Sequence, residues 1–423
     1  MAWDSAPRGA RGFEARLPFH YGWVIVGVGV VVSMCVLGMA RFAFGMVLPS
    51  MREALGLSYG DMGWIGTANF VGYLAGVSIA GALTTRAGPR ATITGALVLI
   101  AVSLVAVSLA SGLWPVLLLF TLVGVGSGLG NVAMVGTVAR WFLKSMRGWA
   151  SGLVVAGIGL GLMVSGVLVP AVNADVGVTD GWRISWRIMA AIVAVVAVVA
   201  GLLLRDDPAV IGMSAAGHPL RDAAPPEPVS PAEQRRTTIV LGLVYSMYGF
   251  SYAIFATFIV TTLVDQRGLA ESSAGWVWFF IGLVSLCCGY FGMLSDRLGR
   301  KRGIAVVFAM HALAYLIVGL QLPGVLLYVA VALFGISAWS VPGIMGATAG
   351  DYMPPAQAVK ALGTMTLFFG VGQALGPAIA GVLGERTGEF TSSYLLAAAA
   401  AVVGVIGALT MRQPGESGLD RSA

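Results

Sequence analysis

Arg41 has the most unusual position of any charged residue in the sequence, because it lies inside a long apolar run. An arginine in hydrocarbon costs at least about 2.5 kcal/mol on insertion scales, so its guanidinium needs a water-filled cavity or a partner. None of the 19 Asp and Glu residues lies well inside an apolar run. We therefore predict that Arg41 binds the carboxylate of an external organic anion in bidentate fashion. The alternative interpretation is that it reaches the membrane interface or hydrogen-bonds backbone carbonyls.

Other polar side chains in apolar runs are candidates for the same cavity. Asn69 and Tyr73 are four residues apart and share one helical face. Tyr248 and Tyr252 lie on a second stripe, which begins at Tyr245. We predict that these side chains line a substrate cavity. The alternatives are hydrogen bonding between helices for the first pair and aromatic packing for the tyrosines.

Two lone amides and two titratable groups complete the set of candidates. Asn131 and Gln373 each lie in a glycine-rich apolar run, where they either contact substrate or join two helices. His311 and Asp351 are candidates for coupling transport to protons. The alternatives are a structural histidine and an interfacial pairing of Asp351 with Lys360 or Arg147.

Composition places these residues in a membrane protein. The 423 residues are 58% hydrophobic and 10% charged, whereas a soluble domain has about 25% charged residues. The net charge is +6, but the basic residues lie between apolar runs rather than on one exposed face, which argues against nucleic-acid binding. The sequence contains no nucleotide-binding loop and no metal-ligand spacing. It therefore predicts neither an enzyme nor a cofactor.

Apolar runs predict twelve transmembrane helices. Of the 25 Lys and Arg residues, 19 fall on one side of these spans and five on the other, which places both termini in the cytoplasm. The Pro-rich segment 205–236 has the composition of a flexible linker. The predicted organisation is a cytoplasmic tail (1–20), a six-helix bundle (21–204), the linker (205–236), a second six-helix bundle (237–411) and a cytoplasmic tail (412–423). The predicted spans are 21–48, 59–83, 91–111, 114–140, 148–172, 182–204, 237–264, 273–295, 302–322, 324–350, 359–384 and 391–411.

The two halves of the chain repeat each other. The loop Gly292–Arg302 carries one carboxylate and several basic side chains around a glycine, and a degenerate copy at Gly81–Arg90 lies 211 residues earlier. We predict that both loops act as cytoplasmic latches. Glycines of the fifth and eleventh spans also match at this offset, which predicts close helix contacts in both halves. Residues assigned to the latches are Gly81, Arg86, Arg90, Gly292, Asp296, Arg297, Gly299 and Arg300.

Over its full length the chain resembles the major facilitator superfamily. Gly292–Arg302 follows that superfamily's pattern Gly-x-Leu-x-Asp-Arg-x-Gly-Arg-Lys-Arg, whereas Thr85 replaces the acid in the first copy. His20–Trp23 and the segment 140–161 are similar to the monocarboxylate and oxalate–formate branch, and Gly38-x-x-Arg41-Phe42 is similar to a poorly characterised bacterial branch. The resemblance implies an all-α membrane fold of twelve helices in two pseudo-symmetric six-helix bundles.

These observations predict a secondary active or facilitative transporter that works by alternating access. The expected substrate is a small organic anion such as a monocarboxylate, with protons as the candidate coupling ion. One alternative is export of amphipathic or aromatic compounds, and another is a transporter-like receptor without flux. We expect a monomer in the lipid bilayer of the bacterial inner membrane, with a small-molecule substrate and no nucleic-acid partner.

Overall fold

The computed structural model describes residues 18–218, 231–353 and 355–411. Most of the predicted N-terminal tail (1–17), the middle of the predicted linker (219–230) and the C-terminal tail (412–423) lie outside the described residues. Within the described part the chain is α-helical and contains no β-strand, apart from one isolated bridge between Phe142 and Ala216.

Thirteen helices follow one another in the described residues, and short connections join most of them. Their bounds are α1 Gly22–Leu55, α2 Tyr59–Ala87, α3 Pro89–Ser108, α4 Leu113–Trp141, α5 Lys144–Val176, α6 Val178–Leu203, α7 Pro231–Thr261, α8 Glu271–Ser285, α9 Tyr290–Leu298, α10 Arg300–Gly319, α11 Gly324–Tyr352, α12 Pro355–Thr387 and α13 Thr391–Leu409.

Length and composition make these helices membrane spans. Eleven of those described are long and apolar enough to cross a bilayer, and α8 and α9 form a twelfth span with a 51° bend. Large apolar side chains are exposed along them, for example Val102 and Val198, because a lipid-facing surface needs no polar cover. The prediction of twelve transmembrane helices is confirmed, and the chain is a multi-pass membrane protein.

The sequence predicted regular spans, and the structure interrupts several of them. Residues Met34–Phe42 in the middle of α1 form a π-helix, and a second π-helical turn, Thr262–Gln266, extends α7. Wider turns of this kind change the direction in which side chains leave the helix, and they are frequent at functional sites. The first of them contains Arg41.

The chain forms two compact units. Of the described residues, the first unit contains 18–55 and 71–218, and the second contains 56–70, 231–353 and 355–411, so α2 changes unit after Phe70. Trp141, Trp182 and Trp186 are fully buried in the first unit, and Trp278 and Phe255 are fully buried in the second.

Only some of the repeated glycines make close helix contacts. A Cβ at Gly161 would lie 2.5 Å from the Cα of Gly38, and a Cβ at Gly372 would lie 2.2 Å from the carbonyl oxygen of Ser246. By contrast, a Cβ at Gly152 or at the equivalent Gly363 would meet no atom within 4 Å. Each repeat therefore contributes one packed glycine and one open glycine, at equivalent positions.

The first part of the predicted linker packs against the first unit. Residues 204–218, which we name the strap, include a short 3₁₀ helix at Pro208–Ile211, and they hydrogen-bond to several helix ends. The sequence predicted a flexible connection here from its proline content. For the strap that prediction is wrong, because tertiary hydrogen bonds hold its backbone.

Candidate functional site

Arg41 lies on the π-helical segment of α1 and is only 7% exposed. Its guanidinium carbon sits 4.0 Å from the centre of the Tyr73 ring and 5.6 Å from that of Phe42. A cation over an aromatic face gains about 0.5–2 kcal/mol, more where water is excluded. The side chain is thus held inside the first unit, and the interpretation that it reaches the membrane interface is wrong.

Tyr73 connects Arg41 to a third helix. The phenol oxygen of Tyr73, on α2, accepts a hydrogen bond of 2.9 Å from the Nδ2 of Asn131, on α4. Arg41, Tyr73 and Asn131 therefore form one polar cluster that joins α1, α2 and α4, and we name it the Arg41 cluster. A guanidinium beside a phenol and an amide offers hydrogen-bond donors in a site of low dielectric constant, which suits an anion.

Glycines bring α2 and α4 together at this cluster, and the sequence analysis missed them. A Cβ at Gly72 would lie 2.0 Å from the carbonyl oxygen of Thr121, and a Cβ at Gly128 would lie 2.3 Å from that of Tyr73. Gly76 makes a similar contact with Val125. The Gly72-x-x-x-Gly76 spacing was the available signal, since small residues four apart permit close helix packing.

The remaining candidates for cavity lining lie in the second unit. The amide of Gln373, on α12, donates to the phenol oxygen of Tyr252, and the phenol of Tyr248 donates to the carbonyl of Ala338. The rings of Tyr248 and Tyr252 stack with centroids 5.0 Å apart. Asn69 also belongs to the second unit and is 4% exposed. The predicted lining residues thus form two groups, one in each unit.

His311 is fully buried on α10. Its Nδ1 lies 3.3 Å from the phenol oxygen of Tyr315, and its ring stacks on Tyr248 at 5.8 Å between centroids. Among the described residues its Nε2 has no hydrogen-bond partner. This nitrogen is a buried polar atom that a hydrogen-bonding ligand would satisfy.

Asp351 pairs with Arg300, a predicted latch residue, and with neither of the partners predicted for it. Its Oδ2 lies 2.6 Å from the Nε of Arg300, and the Oδ1 of Asp296 lies 2.5 Å from Nη1 of the same arginine. The predicted pairing of Asp351 with Lys360 or Arg147 is therefore wrong. Arg300 bridges two carboxylates, so Asp351 belongs with the latch residues around Gly299.

The other latch residues have different surroundings. Gly299 has φ +85°, a conformation that favours glycine, and it precedes α10. A Cβ at Gly81 or Gly292 would meet no atom within 4 Å, so close helix packing does not require a glycine at either position. The side chains of Arg86, Arg90 and Arg297 are exposed.

Comparison with known proteins decides the family. The profile of the family described as "Uncharacterised MFS-type transporter YbfB" matches residues 32–409. The chain belongs to this family. The match confirms the resemblance to the major facilitator superfamily. The general activity of this MFS-type transporter is transport across a membrane.

Relatives and a solved structure agree with this assignment. The transporter is 25% identical over 395 residues to the hexuronate transporter of Bacillus subtilis, covering 88% of this chain and 91% of the relative. It is 28% identical over 398 residues to human monocarboxylate transporter 11, covering 89% of this chain and 80% of the relative. The crystal structure of the nucleoside transporter NupG superposes with a TM-score of 0.70 at 12% identity, covering 93% of this chain and 100% of that one. The MFS fold is therefore shown.

Proposed function

We propose that this MFS-type transporter carries a small organic anion of the monocarboxylate or uronate class by alternating access. The observation that best supports this proposal is the buried guanidinium of Arg41, which lies over the ring of Tyr73. The phenol of Tyr73 in turn accepts a hydrogen bond from Asn131. Burying a cation is costly, and an anionic ligand offsets that cost when it binds. A hexuronate transporter and a monocarboxylate transporter among the relatives support an organic anion.

In the proposed cycle, the Arg41 cluster is exposed to one side of the membrane at a time. The substrate carboxylate binds the guanidinium, while Tyr73 and Asn131 fix the orientation of both. We retain Tyr252 and Gln373, which hydrogen-bond to each other, as proposed substrate contacts.

Protons are the proposed coupling ion, with His311 as the proposed carrier. Of the three histidines in the sequence, it is the one that lies well inside an apolar run, and an imidazole is the side chain suited to proton transfer near neutral pH. The bonds of Asp351 to Arg300 favour a latch role for that carboxylate instead. From the distribution of Lys and Arg we propose that both termini are cytoplasmic. We also propose that the membrane is a bacterial inner membrane and that the transporter works as a monomer.

The experiment measures uptake of labelled lactate and labelled glucuronate into proteoliposomes, at several pH values, for the wild type and two variants of Arg41. Arg41→Gln should raise the KM for anions at least about tenfold, because one charge-assisted pair contributes more than about 1.4 kcal/mol. Arg41→Lys should recover only part of the loss, since an ammonium cannot bind a carboxylate in bidentate fashion.

The matched control is Arg386→Gln, which removes a positive charge from an exposed position on α12. It should leave anion uptake unchanged. If Arg41→Gln takes up both anions at the wild-type rate, the assignment of Arg41 to anion binding is wrong. If the wild type takes up neither anion but moves amphipathic dyes, the substrate is an amphipathic or aromatic compound and the proposal of an organic anion is wrong.

A further inference from the structure

The two latch loops have the same backbone conformation but different chemistry. Gly88 precedes α3 with φ +83° and ψ 157°, and Gly299, 211 residues later, precedes α10 with φ +85° and ψ 151°. In both copies the carbonyl of this glycine accepts a hydrogen bond from the amide four residues on, that of Thr92 or Gly303. The helix start is therefore built in the same way in both halves of the chain.

The charged groups of the second copy have no counterparts in the first. In the second copy Arg300 bonds to Asp296 and Asp351. At an offset of 211 these three positions are occupied by Pro89, Thr85 and Arg140. The first loop therefore lacks both the carboxylates and the arginine that joins them.

A carboxylate reaches the first copy from another part of the chain. Oδ1 of Asp206, on the strap, accepts a hydrogen bond of 2.7 Å from the backbone amide of Arg90, in the first turn of α3. A Cβ at Gly88 would lie 2.9 Å from Oδ2 of the same carboxylate. First-turn amides of a helix have no partner within the helix, and a negative charge beside them is stabilising. Asp206 thus caps α3.

Hydrogen bonds to two other helices hold the strap around Asp206. The indole nitrogen of Trp141 donates to the carbonyl of Arg205 at 3.1 Å. Further along, the amide of Leu143 donates to the carbonyl of Ala216 at 2.8 Å, and the amide of Ala216 donates to Trp141 at 2.9 Å. These bonds attach the strap to the end of α4 and the start of α5.

His20 attaches the strap to α1. Its Nδ1 accepts a hydrogen bond from the amide of Gly22 at 3.0 Å, so in this geometry Nε2 carries the proton. That Nε2 lies 3.0 Å from the carbonyl oxygen of Ser214. The strap therefore touches the ends of α1, α3, α4 and α5, and it continues directly from α6.

We infer that the strap is a clamp of the first unit, and that Asp206 is a positioning residue that replaces the acid missing from the first latch loop. In the second unit the carboxylates belong to the latch loop and to α11. In the first unit the carboxylate comes from the linker, so the position of α3 depends on whether the strap is docked. This role concerns the latch and is independent of which solute is transported.

Hydrogen–deuterium exchange of the full-length protein in detergent tests this inference without any substrate. Asp206→Ala removes the cap of α3, and loss of an N-terminal cap weakens a helix start enough to change an opening equilibrium about 2- to 30-fold. Peptides covering 85–92 and 204–218 should therefore exchange faster by a factor in that range. Peptides covering 292–302 should not change, because that loop has its own acid.

Two further variants distinguish the effect of losing the charge from the effect of losing the hydrogen bond, and both from a non-specific destabilisation of the strap. Asp206→Asn keeps a hydrogen-bond acceptor and loses the charge, so its effect should lie between the wild type and Asp206→Ala. Asp207→Asn is the matched control: Asp207 caps only the strap's own 3₁₀ helix, and asparagine caps about as well as aspartate. Unchanged exchange at 85–92 in Asp206→Ala would overturn the inference, as would equal acceleration at 292–302.

Discussion

The contact between Gly38 and Gly161 is the packing feature on which the geometry of the Arg41 cluster depends most directly. Gly38 lies in the same π-helical segment as Arg41, and a Cβ on Gly161 would lie 2.5 Å from its Cα and 2.8 Å from its carbonyl carbon. All these neighbours are backbone atoms, which cannot rotate away. An ordinary contact begins at 3.4 Å, so Gly161→Ala should force α1 and α5 apart by about 1 Å.

The size of the effect follows from two opposing terms. Overpacking of this kind costs about 1–3 kcal/mol. In an open helical position, alanine is favoured over glycine by up to about 1 kcal/mol. Gly152→Ala, on the same helix, has open space and should be neutral or stabilising. Because the helix-propensity gain is common to both variants, we expect them to differ in stability by the overpacking cost, about 1–3 kcal/mol.

The assay compares thermal unfolding of the purified Gly161→Ala and Gly152→Ala proteins in one detergent, together with anion uptake in proteoliposomes. Gly161→Ala should unfold at a lower temperature and transport more slowly, since the shift moves Arg41 relative to Tyr73. Equal unfolding temperatures and equal transport in the two variants would refute the packing argument, because helix propensity alone treats the two glycines alike.

Three further predictions concern single sites. Tyr73→Phe keeps the ring beneath Arg41 and loses only the hydrogen bond from Asn131, so it should raise the KM for anions less than Tyr73→Leu, which also removes the cation–π contact and should raise the KM about 2- to 30-fold; equal uptake kinetics in both variants would contradict the ring's role. Gly372→Ala should lower the unfolding temperature and Gly363→Ala should not, because only the first meets backbone atoms; a reversed order in thermal unfolding would show that the packing differs. Asp351→Asn should cost only about 0.2–1 kcal/mol, and less at high salt, because the Asp351 side chain is 52% exposed and Arg300 keeps its bond to Asp296; a large, salt-independent loss in thermal unfolding would show that Asp351 has a buried role.

The spans were predictable because a transmembrane helix satisfies its hydrogen bonds within a single segment. Run length and hydrophobicity located all twelve spans, including the one that the structure divides between α8 and α9, although the first helix continues to Leu55, beyond its predicted end at residue 48. They gave no sign of the π-helical segment Met34–Phe42. Hydropathy records which residues are apolar and does not distinguish a π-helical turn from an α-helical one.

The candidate site was predictable in its residue types and only partly in its contacts. Arg41, Tyr73 and Asn131 were each recognised as polar residues in apolar surroundings, and the structure joins them into one cluster. Arg300 as the partner of Asp351 could not be foreseen, because their pairing depends on the relative rotation of α10 and α11. A sequence repeat shows which positions are equivalent and leaves open what each of them touches.

The sequence by itself determined the membrane spans, the internal repeat and the isolation of one arginine among apolar residues, because hydrocarbon imposes these constraints segment by segment. Only the tertiary structure decided that Gly161 is packed while Gly152 is open, and that Asp206 reaches α3 from the strap. Such contacts join residues far apart in the chain. Their energies depend on helix crossing and rotation, which no single segment encodes.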